Sequence, residues 1–388
     1  MDYRVLSEAD LKRWQALEDY AFLNTASPVT PEQRPRLRGL WVAGEQVAQL
    51  EILPLTLETG HAQIAACGFA SVATAPEARR LGYAEELLRH ACAEMRERGM
   101  GLNILYPFKR SFYGRFGWAT FMERRVYQAP PASFRSFRAL PGGFRAASYA
   151  QIADFATIYR GALRGRFGPT VRDESWWRRV LTARDGRPHH GFIWYDPHGQ
   201  PRSFLIYQII VEGANRRLEC QDIVALDPQA RSQLFRFFAN HQDHVGMVRF
   251  KAPADAPVNL LMPDPLECTV EPHFMLRILD VPTALNGYGF PRDLSGHVRI
   301  GVHDDWISSN QGVFELEIAH GHAHARRMPD DTPADISCDV RVLAQIYSRY
   351  MRPRTAAAFG VLNVSNRTGL AFAERAFAGL APFNADYF

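Results

Sequence analysis

The sequence contains no apolar run of the ~18 residues that a membrane-spanning helix needs. Its first residues, MDYRVLSEADLKRW, also lack the apolar segment of a secretory signal peptide. Apolar residues make up 47% and charged residues 22% of the 388-residue chain, a mixture typical of soluble globular domains with a buried core. Length alone favours two or three domains. We therefore expect a multidomain cytoplasmic protein with no membrane partner.

Cysteine is scarce, odd in number and scattered along the chain. With no C-x-x-C pair, the sequence lacks a cysteine-based metal or redox motif, and reduced thiols suit the cytoplasm. The histidines of His320-Gly-His-Ala-His324 fall at the tip of a predicted hairpin without acidic neighbours, which argues against a metal site there. We expect no metal ion.

A strong excess of one charge sign is also missing. The chain has 45 basic and 41 acidic residues, a net charge of +4, and its arginines are spread out. No basic stripe interleaved with aromatic residues is present, so we expect no nucleic-acid partner.

Two common nucleotide-binding motifs, G-x-G-x-x-G and G-x-x-x-x-G-K-[ST], are absent. A third kind of anion loop is present, because Arg79-Arg80-Leu81-Gly82-Tyr83-Ala84 joins a predicted strand ending at Val72-Ala73-Thr74 to a helix predicted from Glu85. Gly82 and Ala84 leave room for phosphates to approach the backbone. The amide groups and the positive dipole end of the helix face such phosphates, and the two arginines add charge. The loop therefore predicts a pyrophosphate site.

A second motif follows in LNILYPFKRSFYGRFGW, residues 102–118. It begins as an apolar strand and continues as a short helical turn that ends at Gly117, with Tyr113 inside the turn. A single tyrosine is more often a half-buried aromatic residue than a catalytic one. Two motifs in this order and spacing make coincidence a weaker explanation.

The chain repeats part of its first half. Val224-Ala-Leu-Asp-Pro-Gln-Ala-Arg231 matches residues 72–79 at five of eight positions, and both segments precede a helix. In the second copy Leu234 and Arg236 stand where Gly82 and Ala84 stand in the first. These side chains fill the space that a pyrophosphate needs. The second copy is expected to fold similarly but to bind no coenzyme.

The last third has a different pattern. Residues 295–327 alternate apolar and polar side chains around two predicted turns, which indicates an antiparallel meander. Two amphipathic helices are predicted after it, at 340–350 and 370–378. The sequence therefore predicts a small α+β domain.

These features together resemble the Eis (enhanced intracellular survival) family of GNAT N-acetyltransferases. The R-x-x-G-x-A loop is similar to the acyl-coenzyme A loop of GNAT enzymes, and FYGRFGW is similar to their FYxxxGF signature. The resemblance implies an α/β (α+β) fold of tandem GNAT domains, the first active and the second degenerate, followed by a sterol carrier protein-like domain. We expect these domains at 1–128, 129–283 and 284–388.

The resemblance also implies a reaction and its residues. An amine attacks the thioester of acetyl-coenzyme A directly, with no metal, so the expected catalytic residues are Tyr113, beside the coenzyme sulfur, and Phe388, whose terminal carboxylate takes the amine proton. The expected coenzyme-binding residues are Val72, Ala73, Thr74, Arg79, Arg80, Leu81, Gly82, Tyr83, Ala84, Glu85, Phe108 and Lys109.

The resemblance defines the acceptor substrate and the oligomeric state less narrowly than it defines the reaction. A small-molecule amine of the aminoglycoside or polyamine type is expected, with Glu18, Asp19 and Asp386 as candidate acidic contacts. The alternatives are a protein lysine or N-terminal acetyltransferase, and, in another class, a lipid-binding or scaffold protein. Family members are commonly hexamers, and aromatic residues in predicted loops suggest buried subunit surfaces, so a homohexamer (a trimer of dimers) is expected. The loop aromatic residues in question are Phe134, Phe137, Phe144 and Phe290.

Overall fold

The computed structural model describes residues 1–23, 29–182 and 189–388. They form two compact units, each built from more than one stretch of chain. Unit 1 comprises Met1–Phe121, Phe274–Ala378 and Phe388, and unit 2 comprises Met122–His273 and Gly379–Tyr387.

Strands and helices are numbered along the chain. The strands are β1 (Asp2–Val5), β2 (Leu37–Val42), β3 (Glu45–Glu58), β4 (Gln63–Thr74), β5 (Leu102–Leu105), β6 (Ala119–Thr120), β7 (Glu123–Ala129), β8 (Gly143–Ala147), β9 (His190–Tyr195), β10 (Pro201–Glu212), β11 (Asn215–Ala225), β12 (Met247–Pro253), β13 (Glu267–Pro272), β14 (Met275–Ile278), β15 (Gly296–His303), β16 (Gly312–Ala319), β17 (His322–Arg327), β18 (Ile336–Asp339) and β19 (Leu362–Val364). The helices are α1 (Leu11–Phe22), α2 (Tyr83–Glu97), α3 (Arg110–Gly114), α4 (Ile152–Leu163), α5 (Glu174–Leu181), α6 (Pro228–Ala239), α7 (Val281–Asn286), α8 (Val340–Tyr347), α9 (Pro353–Ala358) and α10 (Arg367–Ala376).

The larger sheet of unit 1 has the order β1-β2-β3-β4-β5-β14-β6. Strands β1 to β4 form an antiparallel meander, and β5 then adds parallel to β4 after the crossover through α2. Helix α2 packs on this sheet because its apolar residues recur at helical spacing and share one face. Those buried residues are Leu87, Leu88, Ala91, Cys92 and Met95.

The sheet of unit 2 has the order β13-β7-β12-β11-β10-β9-β8 and repeats the same scheme. An antiparallel meander from β8 to β11 is followed by β12, which is parallel to β11 after the crossover through α6. The sixth strand of each sheet, counted from β1 in unit 1 and from β8 in unit 2, does not follow the fifth strand in the chain. In unit 1 this strand is β14, which follows β13 in the chain, and in unit 2 it is β7, which follows β6. The chain therefore leaves unit 1 after β6 and returns to it at β14.

The second sheet of unit 1 has the order β17-β16-β15-β18-β19. Its first three strands are the predicted meander, with a hairpin turn at His320-Gly321, and α8 and α10 are the two predicted helices. The α+β character of this region is therefore confirmed. The domain boundaries 1–128, 129–283 and 284–388 stay a prediction beside this division into units.

Candidate active site

The last residues of β4 leave the regular pairing of their sheet. β4 pairs with β5 only up to Phe69, although the strand continues to Thr74. On the other side, pairing with β3 shifts register at Ser71 and Val72, and Ser71 has a left-handed φ of +53°. Such a bulge turns backbone groups out of the ladder. This edge of β4, which carries the predicted residues Val72 to Thr74, is free of β5 and available to a ligand.

The loop between β4 and α2 leaves the start of the helix open. Arg80 and Gly82 both have left-handed backbone angles, with φ of +64° and +85°. Gly82 is the N-cap of α2, and no side chain within the described ranges caps that helix end. A Cβ atom at Gly82 would meet nothing within 4 Å, so the space before the helix is open. Uncapped backbone amides at the positive end of a helix are suited to phosphate.

The two arginines of this loop and the residues that follow β5 are at the surface. Arg79 and Arg80 are both exposed, and the Arg79 guanidinium lies 5.5 Å from the ring centroid of Tyr20 on α1. Phe108 and Lys109, in the loop after β5, are exposed as well, Phe108 to 69%. Exposed residues of this kind remain accessible to a molecule as large as a nucleotide coenzyme.

Tyr113 lies in α3 and is only 2% exposed. Its ring packs edge-on against the rings of Phe108, Phe112 and Trp118, at centroid distances between 5.1 and 6.1 Å. Burial raises the pKa of the Tyr113 phenol well above its usual value. The hydroxyl is therefore neutral at physiological pH and keeps a proton that it can donate in a hydrogen bond.

A buried polar chain fixes α3 against the sheet. The Trp118 indole N–H donates to the side-chain oxygen of Asn103 at 2.8 Å, and the Asn103 amide donates to the Cys67 carbonyl at 3.1 Å. Asn103 is on β5 and Cys67 on β4, so the turn that carries Tyr113 is tied to the two strands that diverge. Neither Asn103 nor Trp118 is accessible to solvent.

Phe388 packs into unit 1. Its ring stacks on Phe274 at 5.1 Å, and it lies so close to Gly68 on β4 that a Cβ atom there would be 2.7 Å from the Phe388 ring. Gly68 is one residue before the end of β4–β5 pairing. The last residue is therefore packed, and it lies beside the two strands that diverge.

Residues 379–387, which precede it, are anchored within unit 2. The Asp386 carboxylate and the Asp222 carboxylate both contact the Arg172 guanidinium, at 3.0 and 2.7 Å, and all three side chains are at most 3% exposed. Asn384 donates to the carbonyl of Gly168. Asp386 was a candidate acidic contact for a cationic substrate. The structure shows it instead to be buried and paired with Arg172, so that expectation is wrong.

Glu18 lies at the β4 bulge. Its carboxylate accepts a 2.9 Å hydrogen bond from the Ser71 hydroxyl and a longer one from the Gln49 amide. Burial raises the pKa of Glu18, with the Ser71 bond acting in the opposite direction. The neighbouring Asp19 is held by Gln15 at 2.7 Å. Ser71 was not predicted as a site residue, because a serine within an apolar strand gives no sign of a bulge.

The corresponding loop of unit 2 is closed to phosphate. Asp227 caps α6 by accepting the amide of Ala230, and Pro228 occupies the first helical position. The Asp227 carboxylate also binds Arg202, and Leu234 is buried in the core. A phosphate at this helix end would meet a carboxylate instead of free amides. That the second copy binds no coenzyme stays a prediction, and this cap is a physical reason for it.

The aromatic residues used to predict a subunit surface are not exposed loop residues. Phe134 and Phe290 are buried, at 0% and 2% exposure, and Phe137 and Phe144 are half-buried against the core of unit 2. That part of the argument for a hexamer is wrong, since local sequence does not reveal which loops fold back over a core.

Two further observations concern metals and membranes. Among the described residues, no group of three or more metal-ligating side chains comes together. Within the same residues, no helix is both long and apolar enough to cross a bilayer.

Comparison with known proteins agrees with this architecture. Residues 2–121 match an acetyltransferase (GNAT) domain family, residues 168–278 match a second one, and residues 281–385 match a sterol carrier protein domain. An uncharacterised N-acetyltransferase of Streptomyces coelicolor is 27% identical over 346 residues, which span 84% of this chain and 81% of that protein.

Two solved structures cover the whole chain. A GCN5-related N-acetyltransferase from Anabaena variabilis superposes with a TM-score of 0.89 at 22% identity, covering 100% of both chains. Eis1 from Mycobacterium abscessus superposes with a TM-score of 0.80 at 21% identity, also covering 100% of both chains. At this identity both show the fold alone. The predicted arrangement of two GNAT domains and a sterol carrier-like domain is confirmed.

Proposed function

The chain is an acetyltransferase with two GNAT domains and a sterol carrier protein domain, and we propose that it moves an acetyl group from acetyl-coenzyme A to an amine of a small molecule. The observation that carries this proposal is the contrast between its two loops. The loop before α2 is uncapped and open at Gly82, whereas the loop before α6 is capped by Asp227. One acetyl-coenzyme A per chain is the expected stoichiometry.

In the proposed complex the coenzyme lies between the diverging ends of β4 and β5. Backbone amides of Val72, Ala73 and Thr74 bind the pantetheine arm and the thioester oxygen, on which negative charge develops during attack. The pyrophosphate lies at the amino end of α2. Its proposed contacts are Arg79, Arg80, Leu81, Gly82, Tyr83, Ala84 and Glu85, with Phe108 and Lys109 closing the opposite side.

The proposed role of Tyr113 is to stabilise the leaving thiolate. The reference pKa of a phenol, about 10, is already above the ~8.5 of a thiol, and burial of Tyr113 increases the difference. Complete proton transfer from Tyr113 is therefore uphill. A hydrogen bond from its hydroxyl that strengthens as charge forms on sulfur is the better description of its role.

The proton of the attacking amine needs an acceptor. We propose the α-carboxylate of Phe388, whose ring lies against Gly68 and Phe274 beside the end of β4–β5 pairing. Glu18 is the second candidate. Its carboxylate bonds to Ser71 in the bulge, and its raised pKa makes it a better base than an exposed carboxylate.

The resemblance to the Eis family supports more specific proposals about the acceptor, the location and the assembly. An aminoglycoside or polyamine acceptor, a cytoplasmic location and a homohexamer follow from that resemblance. The similarity to Eis1 in fold supports the assignment without fixing a substrate. With Asp386 paired to Arg172, Glu18 and Asp19 are the remaining acidic candidates for a cationic amine.

A panel of acceptors tests the proposal. Coenzyme A release is measured with acetyl-coenzyme A and, in turn, aminoglycosides, polyamines, lysine-containing peptides and peptides with free N-termini. Turnover on small amines and not on peptides is expected. Turnover on peptides alone would favour the protein-acetylating alternative. No turnover on any amine, together with binding of lipid, would favour a lipid-binding or scaffold protein.

A further inference from the structure

Unit 2 retains a cleft at the position where unit 1 carries its coenzyme slot. β11 and β12 pair in parallel only as far as Glu219 and Arg249, yet they continue to Ala225 and Pro253. Their diverging ends open a cavity of about 370 Å³, within the range of small-molecule sites. The degenerate domain has therefore lost the phosphate loop and kept the space between its strands.

The walls of this cavity are mainly apolar. Six of the contributing side chains come from α4, α6, β12, the loop after β12 and residues 379–387 of the tail. These six are Leu163, Leu234, Phe235, Phe250, Val258 and Phe383. Leu260 and Leu261, which also line it, are 82% and 48% exposed. Exposed leucines at the rim of an apolar cavity favour a partner with apolar surface.

Three cationic residues line the cavity. Arg166 is already paired with Asp255, Arg231 on α6 is exposed to solvent, and Lys251 lies on β12. The Lys251 ammonium makes no hydrogen bond or ion pair with any residue in the described ranges. Burial and the nearby Arg124 and Arg249 lower the pKa of Lys251. The charge of Glu219 acts in the opposite direction, but that carboxylate is already held by Arg217 and Arg249. Lys251 is half-buried, and an ammonium that is partly removed from water without a partner would be stabilised by an anionic ligand.

We propose that the cleft of the second GNAT domain binds a small carboxylate amphiphile, with its apolar chain among these side chains and its carboxylate on Lys251. A nucleotide is disfavoured, because Asp227 caps α6 where a pyrophosphate would lie. A neutral lipid of the same length leaves Lys251 without a partner. This site is independent of the acetyl transfer proposed for the first domain.

Calorimetry with decanoate tests the proposal on the full chain. Saturable binding near one decanoate per chain is expected, with decanol, which lacks the carboxylate, at least about tenfold weaker. Decanoyl-coenzyme A, whose carboxyl group is esterified, is the third probe and should not compete for this cleft. The absence of saturable decanoate binding at millimolar concentration, or equal affinity for decanol, would overturn the proposal.

Variants locate the site. Lys251→Met should weaken decanoate binding by about tenfold or more, Lys251→Arg should retain it, and Gly82→Glu in the first domain should leave it unchanged. Lys251→Met removes an unpaired, half-buried charge, so its unfolding midpoint should not fall. Leu261→Glu, at the exposed rim, provides a second arm that does not disturb the core and should weaken binding through charge repulsion. Unchanged affinity in both Lys251→Met and Leu261→Glu, or loss of binding in Gly82→Glu, would contradict the assignment.

Discussion

Tyr113 shows how burial sets a chemical role at the scale of one residue. Its phenol is almost fully enclosed by aromatic rings, and its pKa is raised by that burial alone. We predict that Tyr113→Phe lowers turnover by about 10²-fold, the lower end of the usual effect of a proton-handling group, with little change in coenzyme affinity. Because Tyr113 stays protonated into the alkaline range, the variant should keep the alkaline limb of the parent pH–rate profile. Steady-state kinetics across pH check this, and a lost alkaline limb would contradict it.

Arg172 is a second residue whose surroundings decide its effect, in this case its effect on the free energy of unfolding. It carries one positive charge between the Asp222 and Asp386 carboxylates, and all three are buried. Arg172→Met leaves two carboxylates unpaired in the interior, so we predict a loss of about 3–5 kcal/mol in the free energy of unfolding. Asp386→Asn keeps the neutral Arg172–Asp222 pair and should cost less. Urea unfolding measures both, and an equal or reversed order would disprove this reading.

At the scale of elements, the turn after α3 depends on Gly117. This glycine has φ of +89°, and a Cβ atom there would lie 2.7 Å from the Arg277 guanidinium, which is buried in an ion pair with Asp304. Gly99, after α2, has φ of +76° and nothing within 4 Å, which makes it a matched control. Both alanine variants incur the left-handed penalty of about 1–2 kcal/mol. Gly117→Ala should show the larger fall in thermal midpoint, because it also displaces Arg277, and equal falls would contradict this.

Periodic patterns of apolar residues predict some of these elements and cannot predict others. Helix α2, the turn with Tyr113 and the meander of β15 to β17 follow from local patterns of apolar residues and glycines. The exchange of β7 and β14 between sheets does not, because alternation within a strand does not identify its partner. The bulge at Ser71 and the Arg172 cluster were missed for the same reason. Each depends on residues far apart in the chain.

At the scale of the whole molecule, the proposal makes the α-carboxylate of Phe388 part of the site. Residues appended after Phe388 convert its carboxylate into an amide, which cannot accept a proton, and add bulk near Gly68. We predict that such a protein folds and binds acetyl-coenzyme A but loses about 10²-fold or more in turnover. The control is the same extension at Met1. Equal rates from the two proteins would exclude the terminal carboxylate and make Glu18 the leading candidate.

The whole chain carries two related domains, and we propose that only the first binds the coenzyme. Gly82→Glu places bulk and negative charge at the open end of α2. Gly44→Glu is its matched control, since Gly44 also has a left-handed φ, +87°, and nothing within 4 Å. The corresponding helix of unit 2, α6, is capped by Asp227 and so does not replace the lost site.

Calorimetric titration of the wild-type protein and these two variants with acetyl-coenzyme A is the most direct test. The account predicts one molecule bound per chain in the wild type, the same in Gly44→Glu, and no measurable binding in Gly82→Glu, with all three proteins folded. Two molecules per wild-type chain, or unchanged affinity in Gly82→Glu, would contradict it.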